Sequence, residues 1–187
     1  TTSTATMTFV PGATEQTIFV DILEDTVNED DETFTLTLSN AAGEGVTLAL
    51  DTATVTIADD DDVTVDLADL SITETDDGDD QAVAIPLTLS GESGQTITVD
   101  VETYAITATD GSDFDVIAGT YTFYPDGTTA FEDAATSGAT DISVYGDTVN
   151  EDDETFGVIA SSVTGRGVTV GVDTAMVTIA DNDDVTL

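Results

Sequence analysis

Ten residues occur twice in this chain without a change. Asp25 to Phe34 reads DTVNEDDETF, and so does Asp147 to Phe156. A second shared stretch follows each copy: GVTLALDTATVTIADDDD from Gly45 to Asp62, and GVTVGVDTAMVTIADNDD from Gly167 to Asp184. The copies lie 122 residues apart, which makes the folding unit the size of an ordinary sandwich domain. Met7-Thr8-Phe9-Val10-Pro11-Gly12 also matches Tyr121-Thr122-Phe123-Tyr124-Pro125 and the Asp-Gly that follows. Residues 63–118 have no counterpart earlier in the chain, and Val185-Thr186-Leu187 restarts the pattern of Val63-Thr64-Val65. The expected organisation is the C-terminal half of one unit at 1–62, a whole unit at 63–184, and the opening residues of a third at 185–187, a window on a longer tandem array. Half a sandwich leaves open strand edges and half a core. The first unit is therefore expected to take its missing strands from a preceding segment or from another chain.

Period-two alternation predicts seven strands in the whole unit. They are A (63–73), B (81–90), C (95–107), D (119–124), E (140–146), F (154–163) and G (172–180). Val83, Ile85, Leu87 and Leu89 share one face of B, Ile97, Val99 and Val101 one face of C, and Ala175, Val177 and Ile179 one face of G. Tyr121 and Phe123 in D, Ile142 and Val144 in E, and Phe156 at the start of F complete the expected core. Apolar residues make up 40% of the chain, enough to fill it. No segment carries a helical period. The fold class is all-β, a tandem of seven-stranded antiparallel β-sandwiches with the first unit incomplete. Residues 126–138, which include Phe131, exceed their counterpart in the first unit and read as a loop insertion.

Charge narrows the function. The chain has 40 acidic residues and one basic residue, Arg166, for a net charge of −39. Nothing is present to neutralise phosphates, so nucleic acid is excluded as a partner, and an anionic membrane surface repels such a chain. No run approaches the length of a transmembrane helix, so membrane insertion is not expected. There is no Cys, His or Lys. Disulfides are impossible, the usual general base is missing, and any metal must accept oxygen alone, which means a hard cation, Ca²⁺ or Mg²⁺. With consecutive strands alternating in direction, the ends of A, C, E and G meet at one pole. Sixteen carboxylates fall there: Glu74, Asp76, Asp77, Asp79 and Asp80 after A, Asp110, Asp113 and Asp115 after C, Asp147, Glu151, Asp152, Asp153 and Glu154 after E, and Asp181, Asp183 and Asp184 after G. The other pole holds Glu92, Asp126, Glu132, Asp133 and Arg166. Crowded carboxylates raise one another's pKa unless a cation sits among them, and Ca²⁺ takes six to eight oxygens from flexible loops. A solubilising acidic surface is the other reading of the same charge, and the two are compatible.

VNEDDETFTLTLSN (27–40), DTATVTIADDDD (51–62) and GSDFDVIAGTYTF (111–123) resemble the Calx-beta domain family. The resemblance covers nearly the whole chain and implies an immunoglobulin-like seven-stranded sandwich that binds Ca²⁺ at one pole. Carried over residue by residue, it implies ligands Glu74, Asp113, Asp147, Glu151, Glu154, Asp181 and Asp183 in the second unit. In the first unit it implies Asp25, Glu29, Glu32, Asp59, Asp60 and Asp61. Two positions depart from the family pattern. Gly146 stands where a second acid often precedes Asp147, and Asn182 interrupts the terminal acidic run.

Paired acids also serve glycosidases, but here they are too many and lack an aromatic platform for a sugar, so no enzyme is expected. The expected function is a calcium-binding structural or adhesive segment of a secreted or cell-surface protein, stiffened into a rod by Ca²⁺. Its partners are calcium ions and neighbouring repeats of the same chain. A filament subunit completed by strands donated between identical chains, and a calcium-sensing regulatory domain, are the alternatives.

Overall fold

The computed structural model describes residues 3–75, 80–133 and 142–183, with the side chains of 131–133 left aside. Asp76, Asp77, Asp79, Asp184 and 185–187 lie outside the described residues, as do residues 140 and 141 at the expected start of strand E. Every regular element among the described residues is a β-strand.

The second unit folds as two layers with the apolar alternation turned inward. One layer is a six-stranded sheet. Its strands are β4 (Leu70–Thr73), β13 (Thr174–Ala180), β11 (Glu154–Thr164), β7 (Ile97–Ala105), β8 (Ala118–Phe123) and β9 (Thr129–Asp133), in that order across the sheet. The other layer has β12 (Val168–Val170), β3 (Val63–Leu67) and β6 (Leu87–Leu89) in one sheet, and β10 (Ile142–Val144) paired with β5 (Gln81–Val83). Val65, Ile97, Val99, Val101, Ile142, Val144, Phe156, Val158 and Val177, each at most 1% exposed, form the core. The sandwich predicted from alternation is therefore present, with the expected residues at its centre.

Three features differ from the expected strands. Strand A is two strands in different layers: β3 pairs with β6 and β12, while β4 runs parallel beside β13. Leu67, Leu70 and Ile72 thus serve one core from two sheets. Strand B is likewise split, with Pro86 between β5 and β6; proline has no N–H to give a ladder. Residues 126–133 are not simply a loop. Asp126 caps the turn by accepting the Thr128 amide at 3.0 Å, and β9 then pairs antiparallel with β8, Tyr121 opposite Phe131.

Among the described residues the strands of the first unit form a ribbon, β1 (Glu32–Thr37) and β2 (Thr52–Ile57), antiparallel with Glu32 opposite Ile57. The corresponding pair in the second unit has Glu154 opposite Ile179, the same register displaced by the repeat. Without a second layer this unit leaves its apolar residues bare: Phe19 is 89% exposed, Leu23 91% and Leu50 85%.

The two units meet at Asn28, which is fully buried. Its side-chain amide donates to the Arg166 carbonyl at 2.9 Å, and its Oδ1 accepts from Ser93 Oγ at 3.0 Å and Gln95 Nε2 at 3.1 Å. Its backbone donates to the Glu92 carbonyl at 3.1 Å and accepts from Gly94 at 2.9 Å. Every one of these partners is in the second unit. Arg166 reaches the other way, to the Asp31 carboxylate at 2.7 Å, the Asp59 carboxylate at 3.5 Å and the Glu29 carbonyl at 3.3 Å. Gly167 permits this close approach: a Cβ there would lie 2.8 Å from the Asn28 amide nitrogen, and its φ is +66°. The junction thus contains the single basic residue of the chain, Arg166, set among acids of the first unit.

Candidate metal centre

Strand ends bring the acids of the second unit together. Because β4 lies parallel to β13, Thr73 is opposite Ala180, and the Glu74 amide donates to the Ala180 carbonyl at 3.2 Å. Glu74 and Asp181 therefore emerge side by side. β11 begins at the same level, Glu154 being opposite Ile179. The chain leaving β7 is tied there as well, since the amides of Thr107 and Ala108 both donate to the Thr155 carbonyl at 2.9 Å. It then turns through Asp113, whose carboxylate accepts the Thr109 amide at 2.5 Å. Beneath these acids Phe114 stacks on Phe156, ring centroids 4.2 Å apart and planes 6° from parallel. Phe114 is flanked by Asp113 and Asp115, and Phe156 follows Glu154 by two residues. Both rings are fully buried, so the core itself fixes the backbone that carries the carboxylates.

The result is two trios. Glu74, Asp181 and Asp183 each place a carboxylate oxygen within 4.8 Å of the others, and so do Asp113, Glu151 and Glu154. A crevice of about 10 Å³, room for one water-sized sphere, is lined by Glu74, Asp113, Glu151, Asp152, Glu154, Ile179 and Asp181. Asp147 is held by an Asx turn, accepting the Val149 amide at 2.6 Å, and its charge acts on both Glu74 and Glu151. Hydrogen bonds within the cluster lock the loops: Asp181 accepts from the Glu151 amide at 3.3 Å, and Asp153 accepts from the Asp181 amide at 3.2 Å. Six of the seven residues expected here from the sequence are in the trios, and the seventh is their electrostatic neighbour.

Positive charge is what this arrangement lacks. Desolvation, the hydrogen bond that the protonated Glu74 carboxyl donates to Asp181, and the charges of Asp181, Asp147 and Asp183 push Glu74 up to about 7. Glu154 is also pushed up to about 7, by desolvation, its hydrogen bond with Asp113, and the charges of Asp113, Glu151 and Glu74. Desolvation and the Asp147, Asp113 and Asp181 charges raise Glu151. A divalent cation among these carboxylates would remove the repulsion from every one of them at once. All the donors are carboxylate oxygens, which suits Ca²⁺ and excludes soft metals.

In the first unit the local turns recur but the trios do not. Asp25 accepts the Val27 amide at 3.0 Å and Asp31 accepts the Asp59 amide at 3.0 Å, as Asp147 and Asp153 do in the second unit. Asp25, Glu29, Glu32, Asp59, Asp60 and Asp61 form no comparable trio among the described residues. Desolvation and the charges of Asp60, Asp59, Asp25 and Asp62 raise Asp61. The strands that carry Glu74 and Asp113 have no counterpart in this unit, and Arg166 occupies the Asp59 carboxylate. The sequence did not single out Asn28 or Arg166 as contacts; one hint was that Arg166 alone could offset the acids. Gly146 has a steric reason: a Cβ there would lie 2.0 Å from the Thr75 carbonyl oxygen.

Comparison with known proteins agrees with this architecture. A comparison with curated proteins gives no match. The chain is similar to the crystal structure of the apo form of the Calx CBD1 domain, with a TM-score of 0.50, 22% identity, and coverage of 65% of this chain and 98% of that one. The Calx CBD2 domain follows, at a TM-score of 0.49 and 15% identity over 64% of this chain and 86% of that one. The calcium binding domain CBD12 of CALX1.1 gives a TM-score of 0.48 and 24% identity over 64% of this chain, which spans 46% of that one. The Calx-beta domain model matches residues 1–61 and again residues 62–183. With its sequence matched almost from end to end, the chain belongs to the Calx-beta domain family.

Proposed function

We propose that the chain is a calcium-binding structural repeat segment of an extracellular or cell-surface protein, and that Ca²⁺ at the acidic pole stiffens it into a rod. The observation that carries this reading is the pair of carboxylate trios, built from four separate strand ends and holding protons well above the usual carboxylate range. Such an arrangement costs stability when empty and recovers it when a cation binds. Glu74, Asp181 and Asp183 form one site; Asp113, Glu151 and Glu154 form the other, with Asp147 between them. The ions are held, not turned over: the donors are protein carboxylates, and the Phe114–Phe156 stack beneath them is fully buried.

The test is a thermal melt in chelator, in Ca²⁺ and in matched Mg²⁺. Ca²⁺ at 100 times its dissociation constant adds about 2.7 kcal/mol per site, so a large upward shift specific to Ca²⁺ is expected. An equal, small shift with Mg²⁺ or plain salt would leave the acids with only a solvating role. A second reading is a filament built by strand donation between identical chains. Light scattering distinguishes the two, because a rod segment stays monomeric and a donated-strand filament grows with concentration.

A further inference from the structure

Two copies of one decapeptide stand in this molecule in different states. In the first unit Asn28 is fully buried and bonds only to the second unit, while Val27 is half-buried. In the second unit Asn150 is exposed and Val149 is 56% exposed. The surrounding turns are the same in both, as the matching Asx turns and carboxylate-to-amide bonds show. What differs is the partner of the asparagine: the Asn150 amide bonds within its own unit, to the Asp181 carboxylate and the Asp183 carbonyl.

We propose that the Asn150 end of the second unit is a docking surface for the opposite end of a further sandwich repeat of this kind. The incoming repeat presents a Ser-x-Gln loop and an Arg-Gly loop, and Asn150 takes them as Asn28 takes Ser93, Gln95 and Arg166. The proposal rests on the repeat-array reading above and names the surface through which the array grows. Two further observations support the choice of occupant. The acidic surface complements an arginine, as the bonds of Arg166 to Asp31 and Asp59 show in the existing junction. The spacing also repeats: four residues separate Ala58 from Val63, and four separate Ala180 from Val185. On docking, Asn150 exchanges its bonds to the Asp181 carboxylate and the Asp183 carbonyl for the incoming loops.

The experiment lengthens the full chain by one more copy of residues 63–183 after Asp184 and reads amide hydrogen exchange residue by residue, in chelator and in Ca²⁺. The natural junction is the internal control, through the amides of Asn28 and Gly94. The Asn150 amide and the Gly94 amide of the added unit are expected to exchange at least about tenfold more slowly than in their undocked state, on the order of one net hydrogen bond. Asn150→Ala in the lengthened chain is expected to restore fast exchange at the added Gly94 while the Asn28 junction stays protected. Protection at Asn28 together with unprotected Asn150 would overturn the proposal. Protection that appears without any calcium-specific stabilisation would sink the calcium reading and leave the docking surface standing.

Discussion

At the scale of single residues, the acidic pole works by opposed charges. Glu74→Gln removes one carboxylate from a crowded group, so it is expected to raise the melting temperature in chelator and to abolish much of the calcium-dependent rise. The two signs together separate a ligand from a merely repulsive neighbour. The pH dependence follows from the same residues. Glu74 and Glu154 both have folded pKa values of about 7, above the ordinary 4.5. The folded state therefore binds more protons than the unfolded state between these values, and stability falls as pH rises through that window. Metal-free melts at pH 5 and pH 7.5 are expected to show the chain less stable at the higher pH. The same protons must leave before a cation binds, so calcium affinity is expected to rise across the window; titration calorimetry in two buffers would show the proton release.

Strands decide how these residues meet, and here the sequence was legible in part. Repetition and alternation disclosed the sandwich, its core and the pole, because a period of two and a 122-residue displacement leave plain marks in Val, Ile and Thr. The crossing of strand A from one layer to the other at Ala68-Asp69 left no such mark, since Leu67 and Leu70 are apolar in either assignment. Nor did β9, whose Thr-Ala-Phe-Glu-Asp does not alternate cleanly. Asn28 was illegible for a further reason: its partners lie 64 and more residues away, and its identical twin Asn150 bonds elsewhere. Two substitutions probe this level. Phe114→Ala removes a fully buried ring from the stack beneath the acids and is expected to cost about 3–5 kcal/mol, measured by urea unfolding. Gly146→Ala sets a methyl against the Thr75 carbonyl. It is expected to cost about 1–3 kcal/mol and to displace Glu74, weakening calcium binding as well.

For the molecule as a whole, the junction governs shape. Asn28→Ala removes a buried hub and leaves Ser93, Gln95 and the Arg166 carbonyl without it, at an expected cost of about 1–3 kcal/mol. Small-angle scattering is expected to show a broader distribution of lengths. Arg166→Ala is expected to cost less, about 0–1 kcal/mol, because the guanidinium is 40% exposed and screened by water. The single arginine has a second consequence, which concerns order rather than strength. Where the second unit has Gly165-Arg166-Gly167, the first has Gly43-Glu44-Gly45, with all four glycines at positive φ. The two loops share a backbone shape and carry opposite signs. A unit with glutamate there brings another anion onto an acidic neighbour, whereas a unit with arginine brings the cation that neighbour lacks. A single residue at the tip of this loop thus decides whether a unit offers its neighbour a cation or one more anion.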